Sequence, residues 1–266
     1  MTQLTRAHEG KSVMIQGLST EDREFFKREG YLVVKHVFDA SLVSSIRREI
    51  TKIVAQNPRV EELVQIEPCV TRGELIPANR ELGVRKLFRM AKYNDFFREL
   101  TFHPGMLNIV GDLLGPDLKL VQSMLLMKPP YVREPKVWHQ DNAYFRLRPN
   151  KVLGWWIALD ATDESNGCMH IIPGSHRAGI DSHEGTGDHY GLSKQPSFRE
   201  ALAVPLRSGD GLIFHGELHH GTPPNVTKTR RRALQYHYAS ALCKSESKPE
   251  REPEVIFRRC ETKNSI

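Results

Sequence analysis

The segment VWHQDNAYF (residues 137–145) places a histidine and an aspartate two positions apart. In a β-strand, residues i and i+2 point to the same face, so His139 and Asp141 are expected to lie side by side, with Gln140 facing away. Two such side chains form two corners of a metal site. One further histidine would complete a set of two histidines and one carboxylate, which leaves coordination positions open and is typical of non-haem Fe(II) oxygen chemistry.

The third ligand is expected from residues 209–238, in which His215, His219 and His220 are the candidates. Histidines at strand ends are often half-buried structural residues, so two of the three are expected to have no metal role. Such an oxygenase also needs a cation for the distal carboxylate of 2-oxoglutarate. Arginine suits this role because its planar guanidinium meets a carboxylate with two hydrogen bonds. The run KTRRR (228–232) enters a strand, in which one arginine can point inward.

The chain begins with a helix–strand–helix pattern. Ser19 and Asp22 have capping-box spacing, and Gly30 is placed to end this first helix. YLVVKHVF then reads as a strand, and Asp39 can cap a second helix. Further helical patterns are predicted at residues 81–101 and 104–114.

After Gly115 the sequence changes to short strand-like runs separated by turn signals. The runs are LKLVQSMLLM, KVWHQD, KVLGWWIALD, CMHIIPG, LAVPLR, GLIFH and RALQYHYAS. Many short strands after a helical start predict a mainly β fold with flanking helices. We expect a double-stranded β-helix core, which is a cupin-like jelly roll, with the N-terminal helices packed on one sheet.

The whole chain, residues 1–266, is expected to form one domain. Residues 1–16 are expected to be loose. Residues 177–202 are polar and rich in glycine and histidine, and they are expected to form an active-site lid loop. The polar lid residues indicate a polar or charged end of the substrate: His183, Glu184, His189 and Tyr190.

The composition predicts a soluble cytoplasmic protein with no membrane segment. Hydrophobic residues make up 39% and charged residues 26% of the chain, and no apolar run reaches the length of a membrane span. The cysteines are too scattered for a metal knuckle or a disulfide framework: Cys69, Cys168, Cys243 and Cys260. The net charge of +6 would help to hold an anionic substrate or cosubstrate.

Three segments together resemble the phytanoyl-CoA dioxygenase family of Fe(II)/2-oxoglutarate oxygenases: HQDNAYF, NGCMHIIPGSH and HHGT followed by RRRALQYHY. The family pattern is His-x-Asp and a distal His-x-Ser/Thr, with an arginine eleven residues after that histidine. By this resemblance His139, Asp141 and His220 are the iron ligands. Arg231 is implied to bind the distal carboxylate of 2-oxoglutarate, with the Thr222 hydroxyl nearby.

The resemblance covers roughly residues 19–241 and implies further cosubstrate contacts. Trp156 is similar to a family tryptophan that lines the cosubstrate pocket. Met124 and Lys86 resemble a methionine and a lysine that reach 2-oxoglutarate. For Met124 the alternative is core packing, and for Lys86 it is an exposed helix face.

The resemblance implies hydroxylation of an aliphatic C–H bond of a small molecule, with release of succinate and CO2. The implied cofactors are Fe(II), 2-oxoglutarate and O2, with ascorbate as a candidate requirement in vitro. The retained Asp141 favours hydroxylation over halogenation, but desaturation or cyclisation would use the same site. The rival readings are a zinc or manganese cupin enzyme without 2-oxoglutarate, a non-catalytic binding protein of the same fold, and a basic nucleic-acid-binding module. We expect no nucleic-acid partner.

Overall fold

A computed structural model describes residues 12–15, 17–56, 63–132, 134–246 and 253–257. The helices are α1 (Thr20–Glu29), α2 (Ala40–Gln56), α3 (Pro68–Thr71), α4 (Met90–Tyr93), α5 (Asp95–Leu100), α6 (Pro104–Leu114) and α7 (Asp141–Phe145). Most of the remaining chain forms short strands.

The strands of the N-terminal half are β1 (Ser12–Met14), β2 (Tyr31–Lys35), β3 (Val64–Ile66), β4 (Val84–Phe88), β5 (Leu118–Lys128), β6 (Lys136–His139), β7 (Leu147–Arg148) and β8 (Val152–Ala158). Those of the C-terminal half are β9 (Met169–Ile171), β10 (His183–Glu184), β11 (Gly191–Leu192), β12 (Leu202–Val204), β13 (Gly211–His215), β14 (His220–Thr222), β15 (Arg231–Ser240), β16 (Lys244–Ser245) and β17 (Val255–Phe257).

Two sheets form the core of the fold. The larger sheet has nine strands, in the order β1-β2-β13-β8-β15-β5-β4-β3, with β17 paired to β5. The smaller sheet has the order β12-β9-β14-β6, and the pairs β10-β11 and β16-β7 stand apart. This mainly β double sheet with helices confirms the predicted jelly-roll class.

The central strand β15 separates two apolar clusters by the alternation of its side chains. Leu234, Tyr236 and Tyr238 belong to the cluster that the helices cover, and Ala233 belongs to the smaller cluster that contains residues of both sheets. Because alternate strand residues face opposite sides, the odd-numbered positions from Arg231 onward face the interior between the sheets.

Several local predictions are confirmed near the N-terminus. Ser19 and Asp22 form a reciprocal capping box on α1, and Gly30 ends this helix with a φ of 80°. Asp39 accepts a hydrogen bond from the Leu42 amide at 2.7 Å, which caps α2 as expected. The side chains that begin and end these helices were therefore readable from the sequence.

Two expectations need correction. Residues 84–88 form a strand, β4, instead of the helix predicted for 81–101, because they pair with β5 and β3. Within the segment expected to be loose, Ser12–Met14 pairs parallel with β2, whereas residues 1–11 and 16 lie outside the described residues.

Candidate metal and cosubstrate site

Three predicted metal ligands lie together at the junction of β6, α7 and β14. His139 and His220 are register partners in the antiparallel pair of β6 and β14, and their ring centroids are 4.1 Å apart. One ligand atom each from His139, Asp141 and His220 lies within 4.8 Å of the others, and all three residues are buried. The predicted convergence is therefore present in the structure.

The local conformation around Asp141 differs from the expected continuous strand. β6 ends at His139, and Asp141 is the first residue of α7. Gln140, between them, is still extended at φ −123° and ψ 127°, so it faces away from both neighbours. The Gln140 side chain donates to the carbonyls of Gly179 and Glu217 at 2.7 Å each, which fixes the segment from its outer side.

Both histidine rings are oriented by backbone carbonyls. His139 Nδ1 lies 2.8 Å from the Val137 carbonyl oxygen, and His220 Nδ1 lies 2.9 Å from that of Leu218. Because a carbonyl only accepts, each Nδ1 carries the proton and each Nε2 keeps its lone pair. The two Nε2 atoms lie 3.5 and 3.6 Å from the Asp141 carboxylate. Both rings are therefore set to donate to one metal ion.

The charges of this donor set suit a divalent cation. Burial, together with the neighbouring His220, lowers the pKa of His139 to about 3, so its ring is neutral near pH 7. Burial alone would raise the pKa of Asp141, but His237 and His220 hold it well below its usual value. Two nitrogen donors and one carboxylate match the arrangement that binds non-haem Fe(II).

Two residues that contact Asp141 were not predicted from the sequence. His237 Nε2 lies 2.7 Å from Asp141 Oδ2, and Gln235 Nε2 donates to the same oxygen at 3.4 Å. Both lie on β15, at even spacing from Arg231. Strand alternation from Arg231, the residue predicted to point inward, would have placed both on the site-facing side.

A cavity of about 520 Å³ lies against the three predicted ligands. It is lined by every residue proposed from the sequence for metal or cosubstrate binding: Lys86, Met124, His139, Asp141, Trp156, His220, Thr222 and Arg231. Tyr144, Phe145 and Lys128 also line it. The cavity thus connects the cluster of His139, Asp141 and His220 with the buried Arg231.

Arg231 is a buried cation of this cavity. Its side chain is only 3% exposed, and its guanidinium carbon lies 5.2 Å from the ring centroid of Trp156. Its Nε has no hydrogen-bond partner among the described residues. Burial lowers the pKa of Arg231 to about 10, so the group stays charged at neutral pH. A buried guanidinium with an unused donor fits a carboxylate ligand.

The remaining predicted contacts occupy the walls of the cavity. Trp156 is fully buried on β8, and Met124 on β5 is also largely buried, so Met124 combines core packing with a place at the cavity. Lys86 lies on strand β4, so the alternative of an exposed helix face was wrong. Thr222 lies on β14, two residues after His220.

The two other candidate histidines lie outside the cluster. His219 Nε2 is 3.0 Å from the Asp181 carboxylate. The ring of His215 is 5.0 Å from that of His176, and its Nδ1 accepts a hydrogen bond from the Glu217 amide. Neither belongs to the cluster of His139, Asp141 and His220.

The segment 177–202 lies along the ligand strand and is fastened to it. Gln195 accepts a hydrogen bond from the Trp138 amide at 2.8 Å and donates to the Trp138 carbonyl at 3.2 Å. The Tyr144 hydroxyl donates to the Tyr190 carbonyl at 2.5 Å. Of the four polar residues expected to meet the substrate, Tyr190 lines the cavity, whereas His183 Nε2 accepts from the Gln140 amide.

The sequence matches the family model described as Phytanoyl-CoA dioxygenase (PhyH) over residues 26–233. Because the match covers most of the chain, the protein belongs to the phytanoyl-CoA dioxygenase family. It is also 29% identical over 240 residues to the protein named "Phytanoyl-CoA dioxygenase, peroxisomal" from Bos taurus, covering 85% of this chain and 70% of the bovine one.

Solved structures with the same fold include two 2-oxoglutarate complexes. EctD from S. alaskensis, with 2-oxoglutarate and 5-hydroxyectoine, has a TM-score of 0.69 and 20% identity, covering 86% of this chain and 78% of that one. The epimerase SnoN, in complex with Fe3+, alpha ketoglutarate and nogalamycin RO, has a TM-score of 0.66 and 23% identity, with coverage of 85% and 84%. At these identities the likeness establishes the fold.

Among the described residues, no helix has both the length and the apolar character needed to cross a membrane.

Proposed function

We propose that this protein is an Fe(II)- and 2-oxoglutarate-dependent dioxygenase that hydroxylates an aliphatic C–H bond of a small organic substrate. One observation carries the proposal. The cluster of His139, Asp141 and His220 and the buried Arg231 line the same cavity. A dicarboxylate whose keto acid end meets the metal needs such a cation for its other end.

The cofactors are Fe(II) and 2-oxoglutarate, and O2 is the oxidant. Together they supply a C–H oxidation in which one oxygen atom enters the substrate as a hydroxyl group and the other enters succinate, with loss of CO2. The metal would be held by the two histidine Nε2 atoms and the carboxylate of Asp141. The distal carboxylate of 2-oxoglutarate would be held by Arg231 and Thr222.

The protein side chains contribute orientation and exclusion of water. The carbonyls of Val137 and Leu218 fix the two imidazole rings, and His237 fixes the carboxylate of Asp141. Trp156 covers the Arg231 guanidinium, which strengthens its attraction for an anion by removing solvent.

The substrate is proposed to carry a polar or anionic group. Besides Lys128 and Arg231, three cationic residues line the cavity, Arg85, Lys86 and Lys136, together with the acidic Glu67 and Glu134. A set of candidate metabolites, each tested as a charged and a neutral analogue, should show stronger stimulation of succinate release by the anionic form. Equal stimulation by both forms would remove this part of the proposal.

No nucleic-acid partner is proposed, because the basic run 228–232 has other contacts. Arg230 Nη1 lies 2.6 Å from Glu81 Oε1, and Arg232 Nη2 lies 2.9 Å from Asp160 Oδ1.

The cytoplasm is the proposed compartment, supported by the free thiols of Cys69, Cys168 and Cys243. The bovine relative is named as peroxisomal, so fractionation of cells that express the full chain must separate these two compartments.

The direct test is conversion of 2-oxoglutarate to succinate by the purified protein with Fe(II) and ascorbate. We expect turnover in the wild type, increased by the correct substrate, and its loss by at least about 100-fold in Asp141→Ala, because a three-ligand site then lacks its only anionic donor. Asp95→Ala is the matched control, since that carboxylate is exposed and pairs with Arg98.

Succinate formation at a near wild-type rate in Asp141→Ala would contradict the ligand assignment. Absence of succinate from the wild type would favour the metal-bound cupin enzyme or the non-catalytic binding protein. Mass analysis of the product distinguishes hydroxylation, which adds one oxygen atom, from desaturation or cyclisation, which removes two hydrogen atoms.

A further inference from the structure

Lys128 is a second buried cation beside Arg231. The two residues are register partners in the antiparallel pair of β5 and β15, so their side chains project from the same face of the sheet. Lys128 is 7% exposed, and both residues line the same cavity. No carboxylate among the described residues is within salt-bridge distance of either group. Like charges placed directly opposite each other are unfavourable without a compensating anion.

The ammonium of Lys128 is bound at the end of β14. Its Nζ donates to Thr222 Oγ1 at 3.0 Å and also to the backbone carbonyl of Pro223. Gly167, at φ +85°, leaves the space for this side chain, because a Cβ there would come within 2.9 Å of Lys128 Cδ. The position of the Lys128 side chain is therefore fixed by these contacts.

This contact determines what the Thr222 hydroxyl can do. A lysine side chain has donors and no acceptor when protonated, so the hydroxyl oxygen must accept from it. The hydroxyl proton of Thr222 then remains for a different partner. Thr222 and Arg231 line the same cavity, where an anionic oxygen can accept that proton.

The charge of Lys128 also depends on what occupies the cavity. Burial, and then the nearby charge of Arg231, lowers the pKa of Lys128 well below its usual value. A carboxylate at this end of the cavity would stabilise the protonated form of the lysine. The pair of cations thus fits an anion better than either cation does alone.

We propose that Lys128 is a positioning residue for the cosubstrate, because it fixes the Thr222 hydroxyl as a donor toward the distal carboxylate that Arg231 binds and adds a second positive charge beside that carboxylate. This inference rests on the proposed use of 2-oxoglutarate. Lys128 acts mainly through Thr222, so its removal and that of the hydroxyl should have overlapping effects.

The test is a double-mutant cycle measured by calorimetric titration of 2-oxoglutarate into the Mn(II)-loaded protein, which does not depend on turnover. We expect Lys128→Met and Thr222→Val each to raise the Kd for 2-oxoglutarate by about 10- to 100-fold, as for loss of a hydrogen bond to a charged group. The double variant should bind only about as weakly as the weaker single variant, since the two changes remove one shared interaction.

Lys119→Met is the matched control. Lys119 lies on the same strand and donates to the carbonyl of Cys243, but it does not line the cavity. Its removal should leave the Kd for 2-oxoglutarate unchanged. Mn(II) affinity should be unchanged in all variants, which separates a cosubstrate effect from damage to the metal cluster.

A purely structural lysine would lower the melting temperature of Lys128→Met without changing its Kd for 2-oxoglutarate, and that result overturns the inference while leaving the proposed function intact. Strictly multiplicative effects in the double variant would also overturn it. If the Mn(II)-loaded wild type does not bind 2-oxoglutarate, both proposals fail. If Lys128→Met does not fold, Lys128→Gln decides, because the inference requires a higher Kd for 2-oxoglutarate once the positive charge is removed, and an unchanged Kd overturns it.

Discussion

The three consecutive arginines at 230–232 have different surroundings although they have the same chemistry. Arg230 and Arg232 contact Glu81 at 2.6 and 3.5 Å, outside the cavity, whereas Arg231 between them faces the cavity. The alternation of side chains along a strand produces this separation. The resemblance singled out Arg231 by its spacing from His220, and the pairing of the three side chains in space independently places Arg231 at the cavity.

This separation gives a matched pair of substitutions. Arg231→Lys should raise the Kd for 2-oxoglutarate by about 10- to 100-fold, because a lysine loses the two parallel hydrogen bonds that a guanidinium makes with a carboxylate. Arg230→Lys, one residue away, should leave this Kd within about twofold of wild type. Titration of 2-oxoglutarate into the Mn(II)-loaded variants measures both, and equal weakening by the two changes would place the cosubstrate elsewhere.

The sequence predicted individual site residues best where two of them stand at a fixed spacing, as His139 and Asp141 do, or His220 and Arg231. His139, Asp141, His220 and Arg231 were predicted by the resemblance, and the structure brings them to one cavity. The supporting contacts were not predicted. His237 and Lys128 are an ordinary histidine and lysine in strand patterns, and only the register of β15 against its neighbours shows that they face the site.

The elements that carry the site include one strand that was predicted as helix. In VRKLF (residues 84–88), the buried Val84 and Leu87 are three positions apart, which is the spacing of a helix face. In the strand β4, the same two residues are buried because its pairing with β3 is irregular. Val84 pairs with Ile66, and Lys86 pairs with Gln65. A bulge adds one residue to a strand and so shifts its facing pattern. The spacing of buried residues over only five positions therefore cannot distinguish a helix from a bulged strand.

Residues 177–202, the predicted lid, are held to β6 by a small number of contacts, which include those of Gln195 with Trp138. Gln195→Ala removes its hydrogen bonds to both backbone groups of Trp138. We expect amide hydrogen exchange in the lid to become about 10- to 100-fold faster, since loss of these bonds lowers the cost of local opening. The Michaelis constant for the substrate should rise more than that for 2-oxoglutarate, because Arg231 lies on another strand.

Gln56→Ala is the control for this prediction, because Gln56 is exposed at the end of α2. Hydrogen exchange measured by mass spectrometry should be the same in the lid of that variant and of the wild type. Unchanged exchange in Gln195→Ala would show that the other lid contacts, such as that of Tyr144 with Tyr190, hold the segment without the glutamine.

At the scale of the whole molecule, the cavity is lined by residues of both sheets. β6 and β14 of the smaller sheet provide the histidines, and β5, β8 and β15 of the larger sheet provide the residues around Arg231. We propose that the described residues fold as one domain on this basis. Ligands that contact both sheets must then stabilise the folded chain as a unit.

Thermal unfolding measures this coupling. Mn(II) and 2-oxoglutarate together, at about 100 times their dissociation constants, should add about 2.7 kcal/mol or more to the free energy of unfolding. For a chain of this size that corresponds to a rise of about 5–10 °C in Tm. Asp141→Ala, which lacks the carboxylate donor, should show little of this rise. The same rise in that variant would mean that the ligands bind away from the three-residue cluster.

The alternating strand β15 has a consequence for how this family can diversify. Leu234, Tyr236 and Tyr238 anchor the helical layer, while Gln235 and His237 belong to the reactive side. Neighbouring residues of β15 are therefore under different constraints, one set by the site and the other by the core. Substitutions at odd positions of β15 change side chains that face the interior between the sheets and leave the apolar core under the helices in place. Substitutions at the even positions Leu234, Tyr236 and Tyr238 lower the free energy of unfolding, because those side chains belong to the core. A laboratory evolution campaign confined to the odd positions other than Arg231 would leave the residues of β15 that pack against the helices unchanged.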